Sequence, residues 1–185
     1  MNVIEQLDII LPELCERIAR VPVEKFDEAT PCSAFRIRDL FDHLYGGASA
    51  FGPQLRGSAE PAVEPPALTD ETRPAAVVAA IEELLAAAKS PGAFERTVQL
   101  PFGAVSGEVL ARFLTVDGMV HTWDLARATG TAYEPSGELA TEVLASARDL
   151  IRPEMRDGDT FAEQVTAPAD ASPLVQLVAF TGRAV

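Results

Sequence analysis

VSGEVLARFLTVDGMVHTWDLARAT, residues 105–129, decides the fold. Read at 100° per residue it is one long amphipathic helix. Leu110, Phe113, Leu114, Val120 and Ala128 gather on one arc, and Arg112, Thr115 and Thr122 mark the opposite, wetter arc. Three polar residues fall on the wrong side: Asp117, His121 and Asp124 lie inside the apolar arc. A carboxylate and an imidazole in a core are costly unless they have partners. Asp117 and His121, four residues apart, project from one face and can grip a single ion. A neutral Asp–His hydrogen bond would also satisfy both. Asp124 lies within about 20° of Asp117, two turns on. Near a helix C-terminus its charge opposes the dipole, so a partner is expected. That partner could be Arg127, in a capping or salt-bridge role, or Asp124 could support the ion site or contact substrate.

The only other histidine, His43, lies in a second helix, from Arg36 to about Arg56. There Ile37, Leu40, Phe41, Leu44, Ala48, Phe51 and Leu55 form the apolar stripe, and Gly57 closes it. His43 sits on the flank of that stripe, placed either to join an ion site or to face solvent. The two helices are expected to pack their stripes together and so bring the histidines into convergence. Gly46–Gly47 could allow a close helix approach or merely weaken the helix.

Working outward, residues 2–20 carry a helical pattern that Pro12 should interrupt or bend. Residues 21–35 are a connection, 58–69 a mobile proline-rich loop, and 70–89 a third helix. Residues 94–103 alternate as a short extended segment turned at Pro101 and Gly103, and 161–168 is a candidate strand to pair with 96–100. Helices are expected again over 136–151 and 173–182. Long helices with mostly local connections predict a mainly α protein built as a helical bundle. The expected organisation is a bundle over residues 1–135 with a C-terminal helical extension, 136–185, packed on it.

The chain has 185 residues, 48% of them hydrophobic, and a net charge of −13. That charge excludes the basic footprint of a nucleic-acid binder and disfavours anionic membranes. No apolar run reaches the roughly 20 residues of a membrane span, and the N-terminus lacks the pattern of a signal peptide. A cytoplasmic location is expected. Cys15 and Cys32 are too few for a disulfide framework and read as reduced, packed thiols, although Cys32 precedes a helix start, where thiol pKa values fall. Trp123 reads as core rather than a binding platform.

TPCSAFRIRDLFDHLYGG (30–47) followed by DGMVHTWDLARATG (117–130) resembles the actinobacterial metal-binding proteins related to mycothiol-dependent maleylpyruvate isomerase, of the DinB-like four-helix bundle superfamily. The resemblance extends to VQLPFG (98–103) and APADASPLVQLVAFTGR (167–183). It implies a DinB-like bundle with a short β element and a small C-terminal extension. It implies His43, Asp117 and His121 as ligands of a divalent metal, zinc first and nickel next, with Asp124 in a catalytic or supporting role. It also implies a low-molecular-weight thiol such as mycothiol, a small electrophilic substrate, and isomerisation or S-transfer. A homodimer is compatible with it. The isomerase branch has Glu where this chain has Asp117, and often Trp where Phe35 stands. Arg36 takes an N-cap position common to Ser or Thr, forfeiting roughly 0.5–2 kcal/mol, and Val175–Gln176 replaces a basic residue. A non-catalytic metal- or ligand-binding protein, or a metal-free bundle with a polar network, are the other classes the residues allow.

Overall fold

A computed structural model describes residues 1–58, 68–156, 158 and 160–185. Helix α1 spans Val3–Arg20, α2 Ile37–Arg56, α3 Arg73–Ala88, α4 Gly107–Thr129, α5 Gly137–Leu150 and α6 Pro173–Phe180. Strands β1 (Thr97–Leu100) and β2 (Gly103–Ser106) lie between α3 and α4. The fold is mainly helical, with one small sheet. Most of the loop expected at 58–69 falls outside the described residues.

Helix α1 opens on a reciprocal capping box between Asn2 and Glu5. It runs unbroken through Pro12, which lies on the exposed side; the carbonyl that Pro12 deprives of a donor is not trapped in the core. Helix α2 lacks a side-chain cap at Arg36, as the sequence implies, but Asp39 accepts from the Arg36 backbone N–H at 2.9 Å. It ends at Gly57, whose φ of 74° suits the left-handed position.

The β element differs from expectation. β1 pairs antiparallel with β2, Leu100 opposite Gly103 and Thr97 opposite Ser106. The partner is not 161–168, which carries no strand. The turn at Pro101–Phe102, with Gly103 at φ 131°, folds the chain directly back on itself. β2 therefore takes Val105, and α4 starts two residues later than the apolar period suggests, with Ser106 Oγ accepting from Val109 N–H. Gly107 is pressed against the preceding loop: a Cβ there would lie 2.0 Å from the Ala93 carbonyl oxygen.

α2 packs chiefly on α3, α3 on α1, and α1 on α4, while α5 and α6 pack together and α5 lies along the other side of α4. Helix α4 is thus enclosed on two sides and contributes to both apolar cores. One core joins Leu7, Leu14, Ile18, Phe41 and Leu110; the other joins Ile10, Met119, Trp123, Val143 and Leu177. This overturns the wet arc read for α4. Thr115 and Thr122 are fully buried. Their hydroxyls donate back to the carbonyls of Arg112 and Gly118, at 2.8 and 2.6 Å, so burial leaves no donor orphaned. Arg112 alone of the three stays partly exposed, and pairs with Asp149. Gly118 marks the α1–α4 contact, where a Cβ would come within 2.8 Å of Ile10 Cγ2. The paired Gly46–Gly47 makes no such approach.

The stripes of α2 and α4 do not interlock. The two helices touch little and flank a cavity of about 490 Å³. They meet where His43 approaches Asp117 and His121, and at one end where Leu55 of α2 packs against Gly107 of α4.

Candidate metal centre

Each side chain of the site is placed by a local device. Thr30 starts the loop before α2: its hydroxyl donates to the Phe35 carbonyl at 2.7 Å and accepts from Cys32 N–H at 3.2 Å. Ala29 bridges Arg36 as an isolated antiparallel pair. This tight loop sets Phe35 over the imidazoles, with ring centroids 5.0 Å from His43 and 6.0 Å from His121. Two turns into α2, His43 reaches across to α4. Asp117 and His121, one turn apart, face it.

Asp117 Oδ1 lies 3.4 Å from His43 Nε2 and 3.2 Å from His121 Nε2, and the imidazole centroids are 5.2 Å apart. One donor atom from each of the three residues falls within 4.8 Å of the others. Ligands on a zinc tetrahedron with bonds of roughly 2.0–2.1 Å lie roughly 3.3 Å apart. The donor set and its spacing fit a small divalent ion.

His121 is nearly inaccessible, and its second nitrogen is held from behind. Nδ1 lies 2.9 Å from Asp124 Oδ2. With the Nδ1 proton held by Asp124, Nε2 is the nitrogen that faces Asp117 and His43, and it becomes free to bind an ion once its own proton is lost. Asp124 is completely buried. Its partner is not Arg127, which lies over the Trp123 ring on the exposed side, but Arg183. The guanidinium donates to both Asp124 oxygens, at 2.9 and 3.3 Å, and to the Thr181 carbonyl at 3.0 Å. The end of α6 aims it there. Gly182, at φ 93°, lets its N–H reach the Ala179 carbonyl while Arg183 N–H returns to that of Val178, the paired bonds of a Schellman turn. Arg183 was not among the residues singled out from the sequence. Its signal is the Gly-Arg pair just past the last apolar stripe, inside the C-terminal run that carries the resemblance.

The charges are coupled. Burial opposes ionisation of Asp117, yet the two histidines hold its carboxyl well below the usual carboxylate range. Burial would lower the His121 pKa, but Asp117 foremost, then Asp124, push it up to about 9. Burial likewise opposes the Asp124 charge, and His121 and Arg183 keep it lowered. Asp117 retains 40% exposure because it opens onto the cavity. Cys32 lines the same cavity half-buried, whereas Cys15 is in the core, its thiol pushed up to about 11 by burial. Trp123 is core, as its helical position suggests.

The family model described as the mycothiol maleylpyruvate isomerase N-terminal domain matches residues 10–126. Two uncharacterised Mycobacterium tuberculosis proteins, Rv0738 of strain H37Rv and MT0763 of strain CDC 1551, are each 39% identical over 169 residues, covering 91% of this chain and 90% of theirs. Crystal structures of the mycothiol-dependent maleylpyruvate isomerase and of a histidine-to-alanine mutant superpose with a TM-score of 0.61 at 16% and 15% identity. Each alignment covers 77% of this chain and 66% of the solved one, a likeness of fold. No helix among the described residues is long and apolar enough to cross a membrane.

Proposed function

The chain belongs to the mycothiol maleylpyruvate isomerase N-terminal domain family, and on that premise we propose that it is a cytoplasmic, divalent-metal protein that uses a low-molecular-weight thiol, such as mycothiol, to isomerise or S-modify a small electrophile. His43, Asp117 and His121 would hold the ion, zinc first and nickel next. The observation that carries this reading is the convergence of those three donors while His121 Nδ1 is engaged by Asp124. Two nitrogens and one oxygen leave room for a further ligand, as at catalytic rather than structural zinc sites. Such an ion would supply a charge that keeps a thiol ionised at neutral pH.

The chain's own residues do the rest. Asp124 and Arg183 act as positioning residues: Asp124 fixes the ring and tautomer of His121 from behind, and Arg183, on the cavity wall, holds Asp124 in place. Asp117 brings one negative charge to the ion. Phe35 and the surrounding core shield His121 and Asp124 from water, which strengthens the electrostatic contacts on that side of the site, while His43 and Asp117 stay open to solvent.

Elemental analysis of purified protein tests the reading. About one divalent ion per chain is expected, and a folded His121→Ala protein should be metal-poor. Equal metal content in that variant would remove His121 from the ligand set. A screen for thiol-dependent turnover then separates an enzyme from a protein that only binds metal or a small ligand.

A further inference from the structure

The cavity beside the three donors has a lopsided chemistry. Its long wall is hydrocarbon: Phe51, Leu100, Phe102, Leu110, Phe113 and Leu114 face it from α2, the hairpin and α4. Among the described residues, the ionisable side chains on its surface are Cys32, His43, Asp117, His121 and Arg183, and only the histidines and Arg183 can carry positive charge. Arg183 is already committed, its guanidinium shared between both oxygens of Asp124 and the Thr181 carbonyl. The residues outside the described set contain no lysine, arginine or histidine, so no basic side chain can come from them.

The charge balance follows. On the reading proposed above, a divalent ion keeps one positive charge after Asp117 is counted, and a thiolate cancels it. Nothing remains to neutralise a substrate's carboxylates. A dicarboxylate such as maleylpyruvate needs cationic partners that this cavity does not offer, because buried charges must be paired.

We propose that this cavity takes an uncharged, hydrocarbon-rich electrophile, its apolar body laid along the Phe51–Phe113 wall and its polar end toward His43 and Asp117. A cavity of about 490 Å³ is in the range that encloses a small organic ligand. The inference rests on the metal-and-thiol reading only for the reacting end; the apolar selectivity belongs to the wall.

The test titrates the full-length protein, metal-free and zinc-loaded, by calorimetry with butan-1-ol, hexan-1-ol, octan-1-ol and maleate. Saturable binding of the alcohols is expected in both forms, tightening about fourfold per methylene. Phe51→Ser and Phe113→Ser should each weaken octan-1-ol about tenfold or more; the two lie on different helices, so one reports if the other fails to fold. Maleate should bind more weakly than octan-1-ol to the metal-free protein, and to the zinc-loaded protein when 2-mercaptoethanol is present to occupy the open position and cancel the ion's remaining charge. Alcohol affinities that do not rise with chain length, or maleate bound more tightly than octan-1-ol in either of those two states, would overturn the proposal. The metal reading fails separately: a chain that takes no zinc but binds octan-1-ol with the same chain-length slope loses the ion and keeps the wall.

Discussion

Helix α4 meets α1 and α2 in opposite ways. Toward α1 it is closed: Gly118 sits so near Ile10 and Leu11 that a single methyl group would collide. Toward α2 it is held open over the cavity, and the two helices touch little beyond the histidines and the packing of Leu55 on Gly107. Small side chains on one face let backbones approach and supply stability. Ionisable and aromatic side chains on the other face keep the helices apart and supply a site. One helix carries both because the residues of the two faces interleave: Gly118 follows Asp117, and Thr122 follows His121.

Substitutions should separate the faces. The largest effect is expected at the open face, where Asp117→Asn and His121→Ala should each weaken zinc binding by more than the roughly 10–100-fold typical of outer partners. Zinc titration with circular dichroism as a folding control would show it. Next comes Asp124→Asn, within that 10–100-fold range, because it loosens His121 without removing a ligand. Titrated at the same pH, an Asp124 variant weaker than the Asp117 variant would exchange their roles.

The third expectation is a pH dependence. His121, raised from its ordinary 6.5 to about 9, must lose its proton to take a metal. Zinc affinity should therefore rise by up to about tenfold per pH unit toward pH 9, with proton release visible as a buffer-dependent binding heat. The stability of the metal-free chain should move the other way. A raised folded-state pKa gives stabilisation that is complete below 6.5 and lost as pH rises through about 9. Denaturant midpoints across that window, with metal chelated, would check the sign. The smallest effect on the site belongs to the closed face. Gly118→Ala should cost about 1–3 kcal/mol of stability, from overpacking against Ile10, and leave zinc affinity of the folded protein unchanged. A loss of affinity there would mean that the two faces are coupled.

The open face was the more legible from sequence. Polar residues inside an apolar period are conspicuous, so Asp117, His121 and Asp124 stand out, and the apolar stripes locate helices α1 to α6. The closed face misleads. Thr115 and Thr122 read as solvent-facing because a threonine hydroxyl looks polar, yet a helix offers it a carbonyl one turn back and thereby lets it be buried. The expectation that α2 and α4 interlock fails because stripes tell which face is buried, not which neighbour buries it. The strand partner of β1 was missed because a two-residue turn pairs neighbours before distant segments can compete. Arg183 was missed because its role depends on a turn at the end of α6, and a cation near a chain end has no periodicity to violate.

The polar cluster also has a meaning for the unfolded chain. His43 and Asp117 are 74 residues apart, and Asp124 and Arg183 are 59 apart. An ion held by His43, Asp117 and His121 would be a cross-link as well as a reagent, closing a long loop in the manner of a staple. Its binding free energy then adds directly to the free energy of unfolding, because the dispersed chain cannot assemble the three donors. The hinge of that staple is α4, already locked to α1 through Gly118, so the ion would draw α2 onto a preformed half of the bundle and resist thermal opening of the cavity from that end.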